Sequence, residues 1–440
     1  MTVTVSPNFT TTSELENLQT QTNNFTHLYW DIAWFGVAFG STLSFLAIFA
    51  ARLGAAGWQI ALLSGGPALM NVLFTLPAGR WLESRPLQPA VVRAAVAHRL
   101  GYLILAPLPL LLPASVQIWS VLLLLLLMAI PGSALAVGFN ALLATTVPPE
   151  HRGHVVGRRN AMLSVAIMLT FLLCGWLLDQ LSFEWGYTVV FGLGALGSLM
   201  STYHLYRIRI EEKPHFEMHP LGDKALPGRT MAFGAGLFQR LSISPRMWLQ
   251  WRPSGRNTFA NVSRQYWRMM LAFMLFHFTQ FLPVAIYPIF LVRDLALSDR
   301  QISWVNAIYF LTMLATAPFL GRLTQRFGNF RLTVWGAFML CTYPLITAFS
   351  SGIAHLIVAN MIIGFTWAIM SGSLLNRMFE VIPDDQRPPH LALYNMALNI
   401  ATLSGTMLGP VLAGAVGLRE ALLLMAAARL FSGLVVSRWG

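Results

Sequence analysis

Twelve apolar stretches punctuate the chain, at about 29–51, 57–78, 91–112, 116–137, 162–183 and 186–207, then at 269–292, 302–320, 332–350, 353–375, 391–414 and 418–436. Roughly 20 apolar residues carry a helix across ~30 Å of hydrocarbon, and these runs are of that order. None alternates with period two, and open strands cannot satisfy their backbone in lipid, so the pattern predicts spanning helices. A polar gap near 208–268 separates six runs from six. The pattern therefore predicts a polar tail over 1–27, a first helical unit over 28–208, a linker over 209–267 and a second helical unit over 268–440.

Composition supports the bilayer as solvent. Hydrophobic residues make up 56% of the 440 and charged residues 10%, against about 25% charged in an ordinary soluble domain. The net charge of +12 rests on arginine, since Lys213 and Lys224 are the only lysines. These arginines sit between apolar runs, which reads as a topology signal rather than a nucleic-acid surface. One set of connections carries Arg80, Arg85 and Arg93, then Arg152, Arg158 and Arg159, then Arg322, Arg326 and Arg331, then Arg377 and Arg387. The alternate set offers Arg52, Arg293, Arg300 and Arg419. The positive-inside rule then predicts a multi-pass protein of the cytoplasmic (inner) membrane, with both termini and the central linker in the cytoplasm.

The start of the chain lacks the basic head and apolar core of a cleavable signal. It reads as a flexible cytoplasmic tail, on which the N-x-T triplets at Asn8 and Asn24 carry no meaning. The linker is acidic only in its first part, at Glu211, Glu212, Glu217 and Asp223. Its middle, Met231 to Trp251, mixes aromatics with Arg240 and Arg246. That composition fits either a segment lying on an anionic leaflet or a mobile connection. Cys174 and Cys341 fall in separate apolar runs and read as small buried hydrophobes, so neither metal nor cofactor is expected.

The two halves repeat. Gln59-Ile60 and Gly79-Arg80 match Gln301-Ile302 and Gly321-Arg322 at one offset of 242 residues, and Pro148, Arg152 and Asn160 match Pro383, Arg387 and Asn395 at 235. Parallel repeats of this kind place a substrate site between the halves near the midplane. The expected fold is all-α and membrane-spanning, twelve transmembrane helices arranged as two pseudo-symmetric six-helix bundles.

This pattern resembles the major facilitator superfamily. The family's second-to-third loop reads G-x-x-x-D-R-x-G-R-R/K, and here Gly79-Arg80-Trp81-Leu82-Glu83-Ser84-Arg85 places Glu83 where the family has aspartate. The second copy, Gly321-Arg322-Leu323-Thr324-Gln325-Arg326-Phe327-Gly328, replaces the acid by Gln325. The run Pro148-Pro149-Glu150-His151-Arg152-Gly153 is also similar. The resemblance implies a conformational latch at Gly79, Glu83, Arg85, Gly321 and Arg326, against the alternative that Arg80 and Arg85 only set topology. A fifth-helix Gly-Pro motif belongs to the family's antiporters; here that place holds Cys174-Gly175 without proline. Gly405, Gly409-Pro410 and Gly414 in the eleventh run read as close helix packing.

Ionisable groups inside spans are costly and mark candidate sites. Asp31, close to Trp30 and Trp34, is either a protonatable coupling group or a shallow carboxylate near water. His277, with Gln280 three residues on, is either a hydrogen-bonded core histidine or a solute or proton contact. Arg99 reads as snorkelling or structurally paired. The resemblance adds Trp34, Asn140, Gln280, Asn360 and Trp367 as cavity-lining candidates, which suit a neutral, amphipathic or weakly basic solute.

Function follows by class. No G-x-x-x-x-G-K-[ST] loop, HExxH or GxSxG occurs in the sequence, so neither ATP-driven transport by this chain nor a membrane enzyme is expected. The reading is a monomeric secondary transporter of a small-molecule solute, in contact with the lipid bilayer and coupled to an ion or proton. The alternative is a transporter-fold assembly subunit without flux.

Overall fold

A computed structural model describes residues 12–210, 263–382 and 387–440. The Asn8 triplet, the Met231–Trp251 segment and Pro383 of the second repeat lie outside the described residues. Every element among the described residues is helical.

Chain order gives α1 (Thr20–Arg52), α2 (Gly57–Glu83), α3 (Leu87–Leu105), α4 (Ala114–Thr146), α5 (Pro149–Gln180) and α6 (Phe183–Arg207). After the linker come α7 (Arg264–Asp294) and α8 (Asp299–Phe327), α9 (Asn329–Met339), α10 (Ile353–Val381), α11 (Arg387–Val416) and α12 (Leu418–Trp439). Among the described residues eight helices are long and apolar enough to cross a membrane; α2, bent by 51° between Thr75 and Pro77, makes a ninth candidate. The other three are helical without meeting that test. Arg93, His98 and Arg99 interrupt α3. Glycine, serine, threonine and tyrosine dilute α6. The chain breaks after α9 and resumes helix at Thr342–Ala348.

The polar stretch expected as a flexible tail is helical from Thr12 and runs into α1 without a break. Asn24 ties this entry to the end of α6, its Nδ2 donating to the Arg209 carbonyl at 2.7 Å and its Oδ1 accepting from the Arg209 N–H at 2.9 Å. Helices α4 and α5 outrun their apolar cores, at 33 and 32 residues; at 1.5 Å per residue each reaches ~50 Å, beyond the hydrocarbon thickness.

The repeat has a physical basis at the starts of α2 and α8. Gln59 Oε1 accepts from the Ala56 N–H at 2.8 Å, and Gln301 Oε1 accepts from the Ser298 N–H at 2.9 Å. Each glutamine reaches back to satisfy a donor that the first turn leaves orphaned. Ser298 completes the second cap by accepting from the Gln301 N–H; Ala56 has no side-chain oxygen for this.

Packing is uneven along the helices. One apolar cluster draws from both halves, with Phe49, Phe171 and Tyr187 beside Ile289, Ile302 and Val305. A second, around Tyr266, Phe273, Met370 and Met378, lies wholly in the later half. A third, around Leu28, Val91, Leu142 and Val155, lies wholly in the earlier half. The shared cluster surrounds the arginine-poor connections, and the two separate ones surround the arginine-rich connections. Outward faces expose leucines and aromatics such as Leu103, Leu123, Leu169, Trp176, Leu311 and Phe431, a surface suited to lipid rather than water.

Small residues set the close helix crossings. A Cβ at Gly40 would stand 2.8 Å from the Ile167 carbonyl of α5, and one at Gly405 would stand 2.6 Å from the Phe278 carbonyl of α7. Gly409 packs on the Leu282 carbonyl, whereas a Cβ at Gly414 meets nothing within 4 Å. The packing expected of the α11 glycines therefore belongs to Gly405 and Gly409.

Candidate functional site

The seam between the halves is closed at its arginine-poor end by two arginines that cross in opposite directions. Arg52, at the end of α1, donates from Nε to Asp299 Oδ1 at 3.0 Å and Oδ2 at 3.2 Å, and from Nη2 to the Leu297 carbonyl at 2.6 Å. Arg293, at the end of α7, donates from Nη2 to the Ala55 carbonyl at 2.6 Å and the Ala51 carbonyl at 3.2 Å. The Ala51 and Ala55 carbonyls lie at the end of α1, where a cation meets the negative end of the helix dipole. Beneath this tie, α5 packs on α8 and α2 on α11. A Cβ at Gly175 would meet Ser303 of α8, and one at Gly57 would stand 2.7 Å from Pro410 of α11.

Toward the arginine-rich end the same helices part company with neighbours. A Cβ at Gly157 of α5 or at Gly321 of α8 meets nothing within 4 Å. The expected latch residues turn back on their own helices there. Arg85 donates to the Trp81 carbonyl at 2.9 Å and lies 4.7 Å over the Trp81 ring, while exposed Arg326 lies over Phe327 at 5.3 Å. Gly79 is buried, and Glu83 keeps a buried Oε1 with no hydrogen-bond partner.

Within the first half, Asp31 is 3% exposed and enclosed by protein. Arg159 of α5 donates to its Oδ2 at 3.2 Å, Ser201 of α6 donates to its Oδ1, and Arg99 of α3 stands 3.9 Å away. Arg99 also donates to Thr202 at 2.9 Å, and Arg159 lies 4.6 Å over the Phe139 ring of α4. One carboxylate thus joins helices that the sequence separates by as many as 170 residues. By sequence Arg159 is a topology arginine; its burial between α1 and α4 carries no local sequence signal. Trp34 sits one turn beyond Asp31, half-buried, with its carbonyl against Gly197 of α6. Asn140 follows Phe139 on α4 and is half-buried.

Within the second half, His277 is buried and its Nε2 pairs with the Tyr394 hydroxyl of α11 at 2.7 Å, the core arrangement that was one of its two expected readings. Asn360 is 3% exposed; its Nδ2 donates to the Leu356 carbonyl of its own helix at 2.9 Å, and its side chain also bonds Tyr343. Trp367 packs on the Met370 cluster. Gln280 is half-buried; its carbonyl accepts from Arg429 Nη2 of α12 at 3.2 Å, and its side-chain Oε1 is buried without a partner. Arg429 is a buried residue that sequence reasoning passed over, because a lone arginine in the run Ala426-Ala427-Ala428-Arg429-Leu430-Phe431 looks like any helix-face cation.

The candidate residues therefore form two sets, one per half, on either side of a seam shut at one end. No group of three histidine, cysteine or acidic side chains able to hold a metal occurs among the described residues.

Comparisons with known proteins agree with this architecture. The structure is similar to the crystal structure of a bacterial homologue of the iron transporter ferroportin in its inward-facing state, with a TM-score of 0.69 at 13% identity, covering 96% of this chain and 98% of that one. It is similar also to an auto-inhibited peptide transporter of the POT family, with a TM-score of 0.69 at 14% identity over 94% and 96% of the two chains. In sequence the chain is 22% identical over 413 residues to a multi-drug resistance efflux pump PmrA homolog of Lactococcus lactis subsp. lactis, spanning 89% of each. A match to an uncharacterized transporter of Mycobacterium tuberculosis, 25% identical, spans 38% of this chain and 28% of that longer protein. The model of the Major Facilitator Superfamily matches residues 32–264 and 269–440. With that match across both halves, this chain belongs to the major facilitator superfamily, whose members are multi-pass membrane transporters and not enzymes.

Proposed function

We propose that the chain is a monomeric secondary transporter moving a small organic solute across the cytoplasmic membrane by alternating access. In this reading all twelve helices span, as two six-helix bundles over 28–208 and 268–440, with 209–267 as the linker and both termini in the cytoplasm. The observation that carries it is the contrast between the two ends of the seam. Arg52 and Arg293 lock the arginine-poor end, while each half packs its own core at the arginine-rich end. A pair of rigid bundles hinged in this manner faces the cytoplasm here and rocks outward when the tie breaks and the arginine-rich ends close. The latch at Gly79, Glu83, Arg85, Gly321 and Arg326 belongs to that second state, in which Glu83 would gain a partner. The name of the Lactococcus relative supports efflux as the direction.

Spin labels at exposed Ser84 and Gln325 on the arginine-rich end test the motion directly. Two distance populations, shifted by a transported solute, are expected. One fixed distance under all conditions, together with no flux of any compound in a proteoliposome panel, would remove the reading.

Proton coupling is proposed at Asp31. Protonation would withdraw the single negative charge between Arg99 and Arg159, so proton uptake is linked to rearrangement of α1 against α5. Asp31→Asn is expected to abolish transport driven by a pH gradient while solute exchange continues. Unchanged uphill transport in that variant would exclude Asp31 from coupling.

A further inference from the structure

Three arginines are buried among the described residues: Arg99, Arg159 and Arg429. The first two share Asp31. Arg429, 4% exposed, has no carboxylate beside it among the described residues. Its Nη2 donates to the Gln280 carbonyl at 3.2 Å, and its Nε and Nη1 are buried with no acceptor. Its ionisable neighbours are the Tyr287 phenol and the Cys341 thiol, both uncharged in their ordinary forms. A guanidinium is charged in any protein environment, and one stripped of water without a counter-charge is among the costliest arrangements a fold can hold.

Its surroundings are polar. Arg429 lies eleven residues into α12, roughly 16 Å along the helix axis and so near mid-bilayer. Gln280, Tyr287 and Tyr343 are half-buried, the tyrosine rings meeting edge to face at 4.8 Å. Gln280 carries its own unmatched Oε1 one helical contact away from the guanidinium. A single cation with two free donor nitrogens, beside an amide and a phenol, matches one negative charge with two oxygens, or one spherical anion.

We propose that Arg429, approached past Gln280 and Tyr287, is a binding site for a singly charged anion, either the carboxylate of a transported solute or a small inorganic ion such as chloride. The site revises the neutral-solute expectation drawn from the sequence. It rests on the transporter reading only for the question of cargo, because binding itself requires no flux.

The test is thermal unfolding of the purified full-length protein in detergent, in sodium sulfate at matched ionic strength, titrated with chloride or with benzoate. A saturable rise in apparent Tm with at least one anion is expected for the wild type, and its loss in Arg429→Met. A response to benzoate alone assigns the site to a solute carboxylate, and a response to chloride assigns it to an inorganic ion. Gln280→Leu and Tyr287→Phe, which leave the guanidinium in place, are expected to raise the midpoint concentration several-fold, and they decide the matter if Arg429→Met does not fold. The proposal is overturned if neither anion stabilises the wild type, if Arg429→Met responds as the wild type does, or if both approach variants keep the wild-type midpoint. Such a result leaves the transport reading standing, since solute flux and the Ser84–Gln325 distances test that separately.

Discussion

In the first half, Asp31 answers Arg159 directly and Arg99 at 3.9 Å and takes a further bond from Ser201, so one of the two buried positive charges is matched on the spot, while Arg159 keeps Nη1 without a partner. In the second half, Arg429 reaches only a backbone carbonyl and leaves two nitrogens unmet. The same glutamine contact caps α2 and α8, yet the chemistry the two halves enclose differs. Burying a charge is tolerable when its partner is buried with it. The first cluster therefore holds its helices through a counter-charge of its own, which a proton can withdraw, and the second is built around a partner from outside the chain.

The sharpest test of this contrast is to remove charge from each half. Asp31→Ala strands two buried guanidiniums and is expected to cost about 3–5 kcal/mol in unfolding free energy. Arg429→Met replaces an unmatched charge by an apolar chain of similar reach and is expected to be neutral or stabilising in anion-free buffer. Equal losses in both would erase the distinction, and denaturant titrations in detergent read it.

Packing supplies a control, since there the halves should behave alike. Gly40→Ala presses on the Ile167 carbonyl and Gly409→Ala on the Leu282 carbonyl, so each is expected to lose about 1–3 kcal/mol. Gly414→Ala, with open space at its Cβ, is expected to gain a few tenths up to about 1 kcal/mol from helix propensity. A loss at Gly414 as large as at Gly409 would show that the close approach is not what matters.

At the seam, Arg52 is 23% exposed and Asp299 11%, so the pair is partly screened. Arg52→Ala is expected to shift the Ser84–Gln325 distance population toward the shorter state by up to tenfold, or ~1.4 kcal/mol. An unchanged population would mean that Arg293 alone holds that end. The smallest effects belong to the caps: Gln59→Ala and Gln301→Ala are each expected to cost about 0.5–1 kcal/mol. A large inequality between them would show that the repeated glutamines no longer do the same work.

Much of the architecture was legible from local pattern. Helical runs, the 242-residue echo of Gln59 in Gln301 and the sparse, arginine-based charge each report on a stretch of chain and its solvent. The site was less legible. Asn360 and His277 are polar residues in apolar runs, as a lining residue would be, yet one is bonded to its own helix and to Tyr343 and the other to α11. Rotational facing separates those cases, and a single sequence does not encode it in any short window.

Chain chemistry by itself determined that this protein is helical and lipid-solvated, because hydrophobic length and missing alternation act over a few residues to a few tens. Only the tertiary structure decided which charges meet. Asp31 and Arg159 are 128 positions apart, Arg52 and Asp299 are 247 apart, and Arg429 meets no acid among the described residues. Coulomb interaction depends on distance through the folded interior and on the dielectric there, so the same arginine is a topology signal on a loop, a brace beside Asp31, or an anion's counterpart in α12.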